Sequence, residues 1–187
     1  MNPHFIFNCV NSIKGLVVSN QNEKAADYLT DFSRLTRMIL EQSSYDSIPL
    51  KEELEFLEVY VKTEKQREIV HFEFDVILGD GIESEEVMVF PFLLQPFVEN
   101  VVKHAFVDVN KEENRLTVRV MKGDDDWILF EVEDNGIGVP KKSDHHSKGM
   151  ELIKQRLELI NKVSENVTTV FRGENKGTIV KLRLRNK

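Results

Sequence analysis

QPFVENVVKHAF, residues 95–106, holds the conflict on which the fold turns. Residues 92–106 are apolar with few charges, which predicts a buried helix, yet Asn100, Lys103 and His104 lie three and four residues apart on one face, with Glu99 adjacent. A polar stripe on such a helix is expensive to bury unless it meets a partner. Two readings stand side by side: a Glu99–Lys103 ion pair at the surface, of the kind common at this spacing, or a polar face turned toward a ligand.

The surrounding segments favour a ligand. RLTVRV (115–120) and ILFEVE (128–133) alternate strictly and predict strands, joined through MKGDDDW (121–127), which is rich in turn formers. At the end of the second strand stands DNGIGV (134–139). Its paired glycines permit positive φ and the close approach of a ligand. Asp134 there offers a carboxylate to an exocyclic amine such as that of adenine, and it would repel the carbonyl oxygen of guanine. An ordinary Asp-Asn-Gly turn fits the same residues. After an irregular stretch from Val139 to Lys148, Gly149 opens a helical ELIKQRLELI (151–160), and a helix N-terminus beside glycine suits a phosphate. VTTVFRGENKGTIVKLRLR (167–185) reads as a last pair of strands turning at GENKG, with Gly177 and Thr178 opening the final one.

Upstream, HFEFDV (71–76) alternates as a half-buried strand, and VMVF (87–90) is a shorter one. Residues 68–187 therefore predict an α/β sandwich, a mixed sheet of about five strands with helices on one face. Residues 1–67 read as helix throughout. In NPHFIFN (2–8), Asn2 is a good N-cap and Pro3 suits the first helical position. Phe5, Ile6, Cys9, Val10, Ile13, Leu16 and Val17 follow at helical spacing. A second helix, about Glu23 to Gln42, carries Ala25, Tyr28, Leu29, Phe32, Leu35 and Ile39; after a turn at SSYDSIP (43–49), LKEELEFLEVYVKTEKQRE (50–68) sets Leu50, Leu54, Leu57 and Val61 on one side. These stripes exceed what a hairpin covers, which points to self-association as a bundle. The fold class is thus α+β, with a helical region (1–67) ahead of the α/β sandwich (68–187).

Composition narrows the function. The 187 residues are 41% hydrophobic and 30% charged with a net charge of −7, a soluble globular make-up that argues against a general nucleic-acid or anionic-membrane binder. The single cysteine, Cys9, allows no internal disulfide and fits a reducing compartment. No apolar run is long enough to span a bilayer, and nothing reads as a signal peptide. A helix pattern opening at residue 2 reads as a fragment of a longer protein.

The order of motifs, an asparagine-bearing helix, strand-DxGxG, a glycine-containing loop, then GT and a strand, resembles the Bergerat ATP-binding fold of gyrase, ninety-kilodalton heat-shock chaperones, mismatch-repair ATPases and histidine kinases. NPHFIFN combined with LLQPFVENVVKHA (93–105) is similar to the LytS-type sensor histidine kinases, whose transmitter begins with an NPHFLFN-like box. The resemblance covers essentially the whole chain. It implies that His4 is the phospho-acceptor, which suits a helix start, where the macrodipole disfavours the imidazolium. It implies that Asn100 holds Mg²⁺ beside the phosphates of ATP, that Lys103 neutralises phosphate charge and that His104 lies along the nucleotide. Asp134 would read adenine, Gly136 and Gly138 would shape the pocket floor, 139–149 would form an ATP lid ending at Gly149, and Thr178 would fix adenine from the far side. The implied partners are a response regulator, with the LytTR type the one expected, and a second copy of the chain. The implied place is the cytoplasm, with any membrane contact through an upstream segment.

Departures from the family pattern sharpen this reading. Gyrase-type ATPases carry a water-activating glutamate four residues before the asparagine, where this chain has Pro96, which speaks against a free-standing hydrolytic ATPase. Glu99 is the remaining polarising residue. Phe5 follows His4 where many histidine kinases have an acid, so the base for His4 is not identified. Ser147 and Leu152 replace a common lid glycine and asparagine, which motivates the alternative of a non-catalytic ATP-binding scaffold signalling by dimer rearrangement. His145 and His146 lack companion metal ligands and read as a solvated loop.

Overall fold

The computed structural model describes residues 3–66, 71–106, 113–124, 126–137, 155, 167–171 and 177–185, with 3–4 and 167–171 described as backbone. Its helices are α1 (Pro3–Val18), α2 (Asn22–Gln42), α3 (Leu50–Lys65) and α4 (Gln95–His104). Its strands are β1 (Ile48–Pro49), β2 (Glu73–Leu78), β3 (Met88–Val89), β4 (Arg115–Lys122), β5 (Trp127–Asp134), β6 (Val167–Phe171) and β7 (Thr178–Arg185).

Asn20 makes the turn between α1 and α2. It takes the left-handed conformation (φ 57), which an asparagine tolerates, and the next N–H, that of Gln21, donates to the Leu16 carbonyl at 2.9 Å. The predicted α1 stripe divides: Phe5 and Cys9 are buried, whereas Ile6, Val10 and Val17 are exposed. α3 departs further from its expected one-sided pattern. Besides Leu50, Leu54, Leu57 and Val61, it buries Phe56, Val59, Tyr60 and Thr63, because helices and sheet-side segments meet it from several directions. Tyr60 packs at a tilt on Phe5 of α1 (5.6 Å), Lys62 pairs with Asp31 of α2 (2.9 Å), and Phe56 meets Phe92 edge-on ahead of α4 (5.1 Å). Each fully buried aromatic or leucine there contributes roughly 1.5–3 kcal/mol relative to exposure.

The main sheet is mixed and five-stranded, in the order β2-β4-β5-β7-β6, with β2 and β4 parallel and the other pairs antiparallel. Period-2 alternation sorts its faces. Val118, Val132 and Val180 stand in register across three strands, as do Val120, Phe130 and Leu182, and all six are buried. α4 adds Phe97, Val98, Val101 and Val102 to the core. Other strand positions carry cross-strand ion pairs, Arg119 with Glu133 and Lys181 with Glu131, and Arg183 lies over the Trp127 ring at 5.0 Å.

SSYDSIP does not end as a turn. Its last two residues form β1, which pairs antiparallel with β3 as Ile48 with Val89 and Pro49 with Met88. Pro49 can occupy that bridge because a strand of two residues has no long ladder to interrupt.

Candidate functional site

α4 is shorter than the expected 92–106, and it is not buried all round. Glu99, Asn100 and Lys103 are half-buried and His104 is exposed, so the polar face opens to solvent while the apolar one enters the core. Lys103 donates to Glu99, so the ion pair forms on a face that remains accessible to a ligand. The carboxylate thereby holds the ammonium in place along the helix.

The C-terminal end of α4 reaches the end of β5. The Ala105 carbonyl accepts the N–H of Ile137 at 3.0 Å, and a Cβ on Gly136 would lie 2.3 Å from that same carbonyl oxygen. Gly136 is therefore required by the helix end packed on it, and positive φ plays no part: the described glycines with positive φ are Gly81 and Gly177. Gly177, at φ 75, is pressed against the other side of the turn, where a Cβ would fall 1.8 Å from the Asp134 carbonyl oxygen.

Between these close approaches sits Asp134, 2% exposed. Its Oδ1 accepts the N–H of Gly136 at 2.8 Å, and its Oδ2 accepts the N–H of Thr178, the first residue of β7, at 3.1 Å. Burial raises the pKa of this carboxyl above the usual value, while the backbone N–H groups of Gly136 and Thr178 and the Thr178 side chain pull it down. A carboxylate has about four acceptor directions, so two backbone N–H groups and the Thr178 hydroxyl leave capacity for a further donor. The neighbouring Asn135 fixes the turn: its Oδ1 accepts the N–H of Arg115 at 2.8 Å, and its Nδ2 donates to the Glu113 carbonyl at 2.5 Å.

Asn100, Lys103 and His104 lie on the helix whose end, at Ala105, packs on the turn that holds Asp134 and Gly136. His4 stands in the first turn of α1, and its side chain is outside the described atoms. Asn2, Gly138, Gly149, the lid 139–149 with His145, His146 and Ser147, and Leu152 lie outside the described residues. Among the described residues no cluster of three or more His, Cys, Asp or Glu could hold a metal. The half-buried Asn100 on the open face of α4 carries an amide oxygen, a neutral donor of the kind Mg²⁺ accepts.

Glu53 is not among the residues that the sequence motifs single out. It is fully buried and accepts the N–H groups of Phe92 and Leu94, each at 2.8 Å. Its signal was available: Glu53 falls on the stripe of Leu50, Leu54 and Leu57, where a charge needs a partner.

Residues 91–187 match the family model described as histidine kinase-, DNA gyrase B-, and HSP90-like ATPase, and residues 1–69 match the model described as histidine kinase. The sensor histidine kinase/phosphatase LytS of Staphylococcus aureus is 36% identical over 145 residues, 78% of this chain and 24% of that protein. The histidine kinase domain of a blue-light activated histidine kinase from Erythrobacter litoralis superposes with a TM-score of 0.60 at 15% identity, over 96% of this chain and 91% of the other. Histidine kinase AdeS of Acinetobacter baumannii does so with a TM-score of 0.53 at 13% identity, over 97% and 95%. At those identities the structural likeness shows the fold alone.

The chain belongs to the histidine kinase-, DNA gyrase B-, and HSP90-like ATPase family. Its helical region matches the histidine kinase model, and the chain is similar to LytS. It spans 24% of the length of the curated relatives it matches.

Proposed function

We propose that this chain is the catalytic transmitter of a two-component sensor kinase, which binds Mg·ATP, phosphorylates His4 and passes the phosphoryl group to an aspartate of a response regulator of the LytTR type. The observation that carries it is Asp134, a carboxylate 2% exposed, held by Gly136 and Thr178 with acceptor capacity left over. An exocyclic amine is the donor such a carboxylate selects, and Thr178 stands beside it.

Asn100 would hold Mg²⁺, which neutralises phosphate charge when bound. Lys103, steadied by Glu99, adds a second positive charge, and exposed His104 lies along the nucleotide. Gly136 lets the end of α4 pack against the Asp134 turn, and the family resemblance implies pocket-floor and lid roles for Gly138 and Gly149. A ring nitrogen of His4 attacks the γ-phosphorus, the bond from that phosphorus to the β-bridging oxygen breaks, ADP leaves with the electron pair, and the ring proton passes to solvent. The work is positioning and charge neutralisation.

Residues 1–67 form the dimerising and phospho-accepting region and 68–187 the ATP-binding domain. Exposed Phe7, Val10 and Val18 on α1 and Leu40 on α2 support pairing with a second copy. No described helix is long and apolar enough to cross a membrane. The transmitter works in the cytoplasm, reached by any membrane part through a segment upstream. Asp134→Asn tests the site: an amide in place of the carboxylate presents an N–H₂ group, and ATP affinity is expected to fall by about tenfold to a hundredfold, as for a lost charge-assisted hydrogen bond. Undiminished binding of ATP by a folded Asp134→Asn protein overturns the assignment.

A further inference from the structure

We propose that Glu53 is a positioning residue for phosphoryl transfer: it caps α4 from α3 and so ties the helix bearing Asn100 and Lys103 to the helical half of the chain. The inference rests on the reading of α4 as the nucleotide helix.

α4 begins without a cap of its own. Leu94, at the N-cap position, has helical dihedrals and makes no side-chain cap bond. A helix start leaves four N–H groups without partners, and its positive end favours a carboxylate. Glu53 meets that need from another helix, its Oε1 accepting the N–H of Leu94 and its Oε2 the N–H of Phe92. Phe92 makes this possible by adopting φ 61, a left-handed conformation uncommon for a bulky side chain. Successive N–H groups then converge as an anion-binding concavity, filled here by the chain's own carboxylate.

The rest of the junction is built around this contact. The Phe92 ring meets Phe56, three residues beyond Glu53 on α3, at 5.1 Å and 70°. The N–H of Leu50 donates to the Val87 carbonyl at 2.8 Å, that of Lys51 donates to the Ser84 carbonyl at 2.9 Å, and β1 pairs with β3. The segment leading into α4 is therefore fastened to the start of α3 along its length. A buried carboxylate is an expensive way to hold two elements together, and burial pushes Glu53 up to about 7 against the pull of the N–H groups of Leu94, Phe92, Gln95 and Leu93. An apolar residue would fill the space but would leave the N–H groups unbound and the helix start free to shift. Asn100 stands five residues beyond Gln95, about 7.5 Å along the axis, so a tilt at the start displaces it.

The test uses the whole chain with Glu53→Gln. Three readouts are taken: ATP affinity, kcat separated from KM for phosphorylation of His4, and the NMR signal of the Asn100 side-chain amide. Adenine binding through Asp134 should change by less than about threefold. The kcat should fall by about tenfold to a hundredfold, the scale of a misplacement of about 1 Å, with the Asn100 signal displaced. A wild-type kcat with an unmoved Asn100 signal overturns the proposal. If wild-type protein does not phosphorylate His4, the kinase reading fails by itself, and the Asn100 signal still decides the cap. Should Glu53→Gln not fold, hydrogen exchange in wild-type protein decides: amides of Phe92 and Leu94 protected like those of β5 support the cap, and exchange at the rate of exposed loop amides overturns it.

Discussion

Replacing Glu53 by glutamine should flatten the dependence of stability on pH. The Glu53 carboxyl lies at about 7 against an ordinary 4.5, because burial penalises its charge more than the N–H groups of the α4 start favour it. Between those values the folded protein keeps a proton that the unfolded chain releases. The contribution is therefore fully present below about pH 4.5 and is lost as the pH rises toward about 7. At about 1.4 kcal/mol per tenfold change in proton affinity, the whole effect is about 3 kcal/mol, of which about 2.5 kcal/mol falls between about pH 5 and about pH 8. Asp134, also raised by burial, acts with the same sign but in both proteins, so the difference between wild type and Glu53→Gln isolates Glu53. Urea unfolding at intervals across that range measures it. Wild type should lose about 2.5 kcal/mol relative to the variant as the pH rises, whereas a gap that stays constant, or widens in favour of wild type, refutes the assignment of Glu53 as a buried carboxyl at this junction.

The two glycines around Asp134 should rank by what a Cβ meets. Gly177→Ala places it 1.8 Å from the Asp134 carbonyl oxygen at φ 75, and Gly136→Ala places it 2.3 Å from the Ala105 carbonyl oxygen. Both should destabilise, by roughly 1–3 kcal/mol or more, with Gly177→Ala the worse; thermal unfolding gives the order, and the reverse order contradicts the packing described. Asn100→Ala should reduce phosphorylation at saturating Mg·ATP while leaving ATP affinity in EDTA within about threefold of wild type, the pattern expected of a group acting through the ion rather than the base. A large loss of affinity in EDTA would place Asn100 on the nucleotide instead.

Much of this was readable in the sequence where one local pattern decides the outcome. Strict alternation located β4 and β5, and DNG at a strand end located Asp134. Three- and four-residue spacing set Asn100, Lys103 and His104 on one face. What escaped was fixed by contacts distant in the chain. Ile48 and Pro49 become a strand only because Met88 and Val89 are there to pair with them. Phe92 adopts positive φ because Glu53, 39 positions earlier, accepts its N–H, and nothing in FPFLL signals a left-handed residue. At Gly136 the approaching group is the Ala105 carbonyl of its own chain, a contact that DNGIG does not signal. The polar stripe of α4 permitted an ion pair or a ligand face, and the structure has the pair on an accessible face, an outcome that depends on which side of α4 the sheet covers.

The most direct test of the central claim is a mass analysis at neutral pH after incubation with Mg·ATP. The account predicts one added phosphoryl group, located on His4, lost in mild acid and absent from His4→Ala. Phosphate on another residue, its persistence in acid, or undiminished labelling of His4→Ala would contradict it.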